Sequence, residues 1–309
     1  MKAIKVVSTK GMPYEKWLYW RKKGIGGSEA ATIAGLNPWS SPIRVYIDKI
    51  DEEVHVQEDN ERMRVGRDLE DYVAKRFEEA TGKKVKKLNY LLQHPEHSFM
   101  LANLDRDIVG ETAFLECKTT GSYSKAEWEE GVPLHYEIQC LHYMAVTGYT
   151  HCYIACLIGN EKFILHRIDR DDETINNLIK IEKDFWEEHI LPQIPPEPDG
   201  SNEYTEIIRN KYRTSIPESI ELESSFADKL MIRDSIEEQI KSLETDKKMI
   251  DQEIQLQMQE NERAVVGKRV ITWKPQSRTS IDTKKLKEEA PELYEQYSKT
   301  TNSRVFKIK

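Results

Sequence analysis

The residues best suited to chemistry are two carboxylates and a lysine that lie on either side of a short turn. Two strand-like runs flank Gly110-Glu111, which predicts a two-residue hairpin turn at that point. Such a turn places Asp105 opposite Glu116, and directly opposed residues share one face of a sheet. Lys118 follows Glu116 by two positions and is therefore expected on the same face.

This arrangement favours a divalent cation. Opposed carboxylates repel each other, and a cation between them removes that cost. Oxygen-only ligands suit Mg²⁺ or Mn²⁺, which can activate a water and offset charge on a phosphate, while a nearby lysine can stabilise the same charge. Leu115 and Cys117 are expected on the opposite, apolar face. The sequence therefore predicts an acidic site at the rim of a packed sheet, and an ordinary polar surface hairpin is the alternative.

The elements that must position these residues follow a mixed α/β pattern. Amphipathic spacing predicts helices at 61–80, 133–147 and 171–190, and Gly82 and Gly148 are typical of helix ends. Shorter helices are predicted at 28–34, after a glycine-rich turn, and from Pro42. Alternating runs predict strands near 85–93, 99–109, 112–119, 151–158 and 161–168.

Four prolines and a glycine within residues 192–200 predict a linker. It separates a domain at 1–191 from an extension at 201–309. In the extension, apolar residues at spacings of three, four or seven over 218–262 predict a coiled-coil-type helix or helical hairpin. A small α+β tail follows, read as strand (265–273), helix (282–297) and strand (304–308).

Composition limits the class of protein. The 309-residue chain has no apolar run long enough to span a bilayer and no signal-peptide pattern, so we expect a cytoplasmic protein without a membrane partner. The net charge of −8 argues against a general nucleic-acid binder. However, residues 1–24 carry seven Lys and Arg against one acid, and residues 263–309 carry twelve against five. Basic ends around an acidic middle fit either a polyanion ligand or simple solvated surface.

Five motifs in chain order carry a resemblance to a known family. Asp105 followed by Glu116-Cys117-Lys118 resembles the PD-(D/E)XK nuclease motif, with Leu104 in place of the usual proline, and Gln139 and Tyr143 resemble the Gln-x-x-x-Tyr signature of its RecB-like branch. The segments 21–31, 37–41 and 66–70 resemble the YqaJ-like viral recombinase family, whose relatives include lambda exonuclease. The resemblance implies a restriction-endonuclease-like core, a central mixed sheet flanked by helices.

The resemblance also assigns roles to residues. Glu70, Asp105 and Glu116 match carboxylates that hold the metal, and the backbone carbonyl of Cys117 is a further implied ligand. Lys118 matches the catalytic lysine. Gln139 matches a glutamine that reaches towards the metal or the scissile phosphate.

A second set of residues matches the part of lambda-type exonucleases that binds the DNA end. Arg21, Ser28 and Tyr136 occupy positions that lie along that end, where a 5′-phosphate is captured. Trp39 is a candidate for stacking or wedging at the duplex end, with a buried aromatic as the alternative. A second family arginine that follows the serine has no clear counterpart in this chain.

Taken together, the motifs imply a Mg²⁺-dependent 5′→3′ exonuclease on linear double-stranded DNA, with Mn²⁺ as a possible substitute. The resemblance further implies 3′ overhangs for recombination, a RecT-like or Redβ-like annealing partner, a homotrimer, and a phage or prophage origin in a bacterial host. The alternatives are a structure-specific endonuclease or 3′→5′ exonuclease of the same fold, and a non-catalytic DNA-end-binding scaffold.

Overall fold

The structure is a computed structural model that describes residues 2–53 and 60–308. It forms two compact units that divide after Lys211. The first unit contains β1 (Ile4–Ser8), α1 (Tyr14–Arg21), β2 (Ile25–Gly26), α2 (Gly27–Ile33), α3 (Pro42–Ile50), α4 (Glu61–Thr81), β3 (Val85–Lys86), β4 (Tyr90–Gln93), β5 (Met100–Ala102), β6 (Arg106–Ile108), β7 (Ala113–Thr120), α5 (Lys125–Glu130), α6 (Leu134–Thr147), β8 (His151–Ile158), β9 (Lys162–Asp169), α7 (Asp172–Phe185) and α8 (Asn202–Lys211). The second contains α9 (Ser225–Met258), β10 (Arg263–Val266), β11 (Arg269–Thr272), α10 (Thr283–Glu289) and α11 (Pro291–Tyr297).

Two sheets organise the first unit. The five-stranded sheet has the order β3-β6-β7-β8-β9, and the four-stranded sheet has the order β1-β4-β5-β2. The pairs β7·β8 and β2·β5 are parallel, and all other pairs in these sheets are antiparallel. Because α6 connects β7 to β8, it forms the crossover that a parallel pair requires. This mixed sheet with flanking helices confirms the predicted fold class.

Helices cover both faces of the five-stranded sheet. On one face, Phe77 of α4 packs with Leu115 in one apolar cluster, and both side chains are fully buried. On the other face, Phe114 packs with Met144 of α6 in a larger cluster. Successive strand residues therefore alternate between the helices, as the period of two requires. The expectation that Leu115 points away from the face of Glu116 is confirmed.

Two predicted strands are each divided between the two sheets. Residues 85–93 form β3 and β4, and residues 99–109 form β5 and β6. The chain leaves the four-stranded sheet after Ala102 and enters the five-stranded sheet at Arg106. Asp105 consequently lies at the junction between the sheets, which alternation of residue types in the sequence does not reveal.

The tail of the second unit differs from the predicted strand, helix and strand. Residues 263–272 form a hairpin because Gly267, with φ 58°, makes a turn within the predicted strand. The predicted helix at 282–297 is divided at Ala290, since Pro291 cannot donate the backbone hydrogen bond that would continue it. Residues 304–308 form no strand. The predicted long helix is observed as α9.

The proline-rich segment 192–200 belongs to the first unit and is held to α3 and the residue before it by hydrogen bonds. Ser41 donates a hydrogen bond to Asp199 (2.6 Å), and Tyr46 donates to the backbone oxygen of Gln193 (2.7 Å). On α8, Glu203 accepts a hydrogen bond from the backbone N–H of Ser41 (2.7 Å). The division after Lys211 therefore lies later in the chain than the predicted linker. Within residues 2–53 and 60–308, no helix combines the length and apolarity needed to cross a membrane.

One close contact between helices requires a glycine. A Cβ atom built on Gly27 of α2 would lie 2.5 Å from Cε1 of Tyr143 on α6. We expect Gly27→Ala to lower the free energy of unfolding by about 1–3 kcal/mol, because the buried helices must separate to admit a methyl group. Urea denaturation measures the change. Gly131→Ala is the control, since Gly131 is extended (φ 165°) with open space around it, and equal losses in both variants would contradict the prediction.

Candidate active site

The hairpin register agrees with the sequence prediction. Arg106 pairs with Leu115, and Asp107 pairs with Phe114, which continues to Asp105 opposite Glu116. One Asp105 carboxylate oxygen, Oδ2, accepts a hydrogen bond from the backbone N–H of Cys117 (2.8 Å). The two acids therefore lie together beside the same strand.

Glu116 is the buried centre of a hydrogen-bonded group. Its Oε1 accepts hydrogen bonds from Nζ of Lys118 (2.9 Å) and from Nε2 of Gln139 (2.7 Å). Lys118 also donates to Oε1 of Gln139 (3.0 Å), so the three side chains close a ring of contacts. The other carboxylate oxygen of Glu116, Oε2, is buried and has no hydrogen-bond partner among the described residues.

The electrostatics of this group follow from burial and from like charges. Burial, together with repulsion from Glu116 and Glu70, raises the pKa of Asp105 well above its ordinary value. Burial opposes the charge on Lys118, but Glu116 and Asp105 outweigh it and raise the pKa of that lysine. Burial and the same two acids raise the pKa of the Cys117 thiol, which disfavours the thiolate. In the absence of metal, the acids therefore favour the ammonium form of Lys118, while burial and like charges favour the protonated form of Asp105.

Glu70 reaches the site edge from α4 but faces a guanidinium. Arg106, whose side chain is 4% exposed, forms ion pairs with Glu70 and with Asp71. It also donates to the backbone oxygen of Asp105 (2.5 Å). Among the described residues, no three His, Cys, Asp or Glu side chains are arranged to hold a metal. The engagement of Glu70 with Arg106 is consistent with that result.

One cavity joins the predicted catalytic residues to part of the predicted phosphate site. It has a volume of about 190 Å³, and its walls include Asp105, Glu116 and Gln139 together with Arg21 and Ser28. The structure therefore brings together five residues that are widely separated in sequence.

Three contacts fix the position of the Arg21 side chain in the wall of that cavity. Its guanidinium donates a hydrogen bond to Oγ of Ser28 (3.1 Å) and forms an ion pair with Glu29 (3.3 Å). The ring of Trp17 lies 4.9 Å from the guanidinium carbon, a cation–π distance. Ser28 lies inside the first turn of α2 rather than preceding it, so its hydroxyl faces Arg21 instead of capping the helix.

Tyr136 and Trp39 lie apart from Arg21 and Ser28. Both line a second cavity of about 710 Å³, together with Tyr123 and His135. Nζ of Lys118 lies 4.6 Å from the centre of the Tyr136 ring, so this cavity borders the hydrogen-bonded group around Glu116. Trp39 is 79% exposed, which excludes the alternative of a buried aromatic.

Several residues that contact the predicted site residues were not identified from the sequence. Arg106 follows Asp105 directly, and Trp17 precedes Arg21 by one helical turn, so position alone could have drawn attention to them. Glu29 lies three residues after Gly26 and accepts its backbone N–H (2.8 Å), a spacing typical of helix starts. No comparable local signal marks Lys49, which pairs with Glu29.

Comparisons with known proteins decide the family. A model of the YqaJ-like viral recombinase domain matches residues 16–150. The protein YqaJ of Bacillus subtilis (strain 168) is 41% identical over 302 residues, which cover 96% of this chain and 95% of that protein. The chain belongs to the YqaJ-like viral recombinase family. The range matched by the family model contains all of the predicted site residues.

Solved structures show the same fold. The alkaline exonuclease LHK-Exo from Laribacter hongkongensis superposes with a TM-score of 0.50 and 22% identity, covering 64% of this YqaJ-like chain and 98% of its own. Its complex with dAMP has the same TM-score and coverage at 21% identity. This family member therefore shares the mixed α/β fold of these structures over 64% of its chain.

Proposed function

We propose that this protein is a Mg²⁺-dependent deoxyribonuclease that degrades linear double-stranded DNA from its 5′ ends. The cavity that connects Arg21 and Ser28 to Asp105 and Glu116 carries the proposal, because it offers a cation for a terminal phosphate and carboxylates for a metal within one space. The relatives agree in kind, since LHK-Exo is an alkaline exonuclease that binds dAMP, a deoxynucleoside monophosphate.

The residues fit a divalent cation. The buried, unpartnered Oε2 of Glu116 supplies a free acceptor, and a cation would relieve the repulsion that raises the pKa of Asp105. We propose these two acids as the main ligands, with the backbone carbonyl of Cys117 and, after release from Arg106, Glu70. A bound Mg²⁺ or Mn²⁺ would supply an activated water and offset charge on the phosphate.

Lys118 acts in this proposal as a charge donor. In the metal-free site, Glu116 and Asp105 raise its pKa and favour the ammonium form, which is a hydrogen-bond donor. Nζ can therefore donate hydrogen bonds to the attacking oxygen or to a phosphate oxygen as negative charge develops. Gln139 holds Nζ of Lys118 and Oε1 of Glu116 in a fixed relation and thereby orients both.

The DNA end is expected to occupy both cavities. Arg21 and Ser28 would bind the 5′-phosphate through charge-assisted hydrogen bonds. Trp39 and Tyr136 present aromatic rings in the second cavity, where stacking on bases of the duplex end would contribute binding energy independently of sequence. We further propose that the product is a 3′ overhang for single-strand annealing, with a RecT-like or Redβ-like partner. A homotrimer is the proposed assembly, which a native mass measurement would test.

The test uses linear duplex DNA that carries a 5′-phosphate on one strand and a label at either end. The proposal predicts that Mg²⁺ releases mononucleotides from the 5′-phosphorylated strand and that chelator stops the reaction. Release from 3′ ends or cutting of closed circles would instead indicate one of the other nuclease activities. Metal-independent end binding without cutting would indicate a scaffold. Glu116→Ala is the matched inactive control.

A further inference from the structure

Lys49 and Glu29 form a largely buried ion pair that contacts Arg21. Lys49 of α3 has a side chain that is only 2% exposed, and its Nζ lies 2.7 Å from Oε2 of Glu29. The same ammonium donates a hydrogen bond to the backbone oxygen of Arg21 (2.9 Å). Neither Lys49 nor Glu29 is among the residues that line the cavity of Arg21 and Ser28.

Glu29 connects this lysine to the cavity. Its Oε1 pairs with Arg21, while its Oε2 accepts from Lys49 and from the backbone N–H of Gly26. Burial raises the pKa of Glu29, but Lys49, Arg21 and the Gly26 hydrogen bond outweigh it and lower that pKa. Glu29 is therefore a carboxylate, and it places a negative charge against the guanidinium that the proposed function assigns to the terminal phosphate.

The charges of this group have a consequence for anion binding. Arg21 and Glu29 alone sum to zero, and a neutral pair attracts a phosphate weakly. Burial lowers the pKa of Lys49, and Glu29 opposes that shift through the 2.7 Å ion pair. As an ammonium, Lys49 restores a net charge of one positive unit to the group of Arg21, Glu29 and Lys49, close to the cavity and shielded from solvent, where screening is weak. The site therefore has a second cation that acts without touching the ligand.

We propose that Lys49 is the second cation of the terminal-phosphate site and sets its preference for a 5′-phosphomonoester over a 5′-hydroxyl end. It acts through Glu29, whose charge it offsets, and through the Arg21 carbonyl that it holds. This inference rests on the proposed function. It also explains how the chain can bind a terminal phosphate without a second arginine after Ser28.

The test measures binding of the full-length protein to duplexes that differ only in a 5′-phosphate or a 5′-hydroxyl, by fluorescence anisotropy in EDTA. We expect Lys49→Met to reduce the ratio of the two dissociation constants about tenfold. Glu29→Gln in the Lys49→Met background removes the opposing carboxylate and should restore most of that ratio. Lys23→Met, which removes a lysine from the same region but not from this group, is the control.

The outcomes separate the inference from the proposed function. If the wild-type protein shows no preference for the 5′-phosphate, terminal-phosphate capture itself is wrong. A wild-type preference that survives Lys49→Met, or a loss that Glu29→Gln does not restore, overturns the role of Lys49 alone. Should Lys49→Met fail to fold, Glu29→Gln by itself decides, because removing the carboxylate must tighten phosphate binding if charge is the cause and weaken it if Glu29 only supports Arg21.

Discussion

Replacing Asp105 by asparagine is expected to abolish DNA cleavage and, at the same time, to stabilise the protein in the absence of metal. Cleavage should fall by about 10³-fold or more, because a ligand for the proposed cation and its charge are lost. Stability should rise because burial and repulsion from Glu116 and Glu70 disfavour the charged carboxylate in the folded state. A gain of about 1 kcal/mol corresponds to a rise in Tm of about 2–4 °C for a unit of this size.

The pH dependence follows from the direction of that shift. A carboxyl whose pKa is higher in the folded protein binds its proton more tightly there, so its contribution to stability is full below the unfolded value, 3.8, and is lost as pH rises through the raised folded value. As pH rises from 3.8 towards the raised pKa of Asp105, metal-free wild-type protein should therefore lose stability, and Asp105→Asn should lose less stability over the same pH range. Thermal unfolding in EDTA across that range measures both.

Asp107→Asn serves as the matched control for Asp105→Asn. Asp107 lies two residues away, where it accepts a hydrogen bond from Tyr149 (2.7 Å) and pairs with Lys86 (3.1 Å). Its replacement should leave cleavage intact and slightly lower the Tm, which is the opposite pattern. Retained cleavage in Asp105→Asn, or a lower Tm of that variant in EDTA, would contradict the account given for the acids.

The second large effect is expected at a fully buried pair that joins α6 to α7. Nδ1 of His142 lies 2.7 Å from Oε1 of Glu182, and Nε2 lies 2.9 Å from the backbone oxygen of Leu101. Nε2 faces a carbonyl oxygen and donates to it, and the carboxylate of Glu182 beside Nδ1 raises the pKa of His142, which favours the imidazolium, although burial raises the pKa of Glu182 as well. His142→Leu should cost about 3–5 kcal/mol of unfolding free energy, since it leaves Glu182 buried without its counter-ion.

A double-mutant cycle separates the pair from simple packing. Glu182→Met alone should also be strongly destabilising, whereas His142→Leu with Glu182→Met should recover most of the loss, because an apolar pair often replaces a buried ion pair at little cost. Urea denaturation provides the four free energies. His189→Leu is the control, as that ring is hydrogen-bonded only at the edge of the unit. Additive losses in the cycle would refute the coupling.

The same pair predicts a loss of stability at alkaline pH. Burial disfavours the charged ring, but Glu182 and the Leu101 carbonyl outweigh it and raise the pKa of His142. A raised pKa gives a contribution that is complete below the unfolded value, 6.5, and that disappears as pH rises through the folded value. The double variant should lack this decline.

The grouping of two acids and a lysine was predictable from sequence because its geometry is local. Asp105, Glu116 and Lys118 are related by one hairpin, and the turn at Gly110 fixes their register. The contact of Glu70 with Arg106 was not predictable, since it depends on how α4 lies against the sheet. The pair of His142 and Glu182 spans forty residues, and only tertiary packing brings such residues together.

The grouping of the DNA-end residues shows the same limit. The family resemblance placed Arg21, Ser28 and Tyr136 along one DNA end, with Trp39 as a stacking candidate, but Arg21 and Ser28 line one cavity whereas Tyr136 and Trp39 line another. The boundaries of α2, α3, α4 and α6 agree closely with the predicted helices, because apolar periodicity, a proline and terminal glycines mark them, whereas α1, α5 and α8 were not predicted. The tail was predicted poorly because Gly267 and Pro291 interrupt patterns that otherwise look continuous.

The elements that carry Ser28, Glu116 and Gln139 in the smaller cavity pack in one apolar cluster. Ala30 and Ala31 of α2, which carries Ser28, pack in the same apolar cluster as Phe114 beside Glu116 and Tyr143 beside Gln139. Close-packed interiors deform little, so the span between Ser28 and the acidic pair varies little. If a DNA end is anchored at Ser28 and cut beside the acidic pair, this fixed distance would set the length of DNA removed. Each turnover would then remove a fragment of the same length, whatever its base sequence.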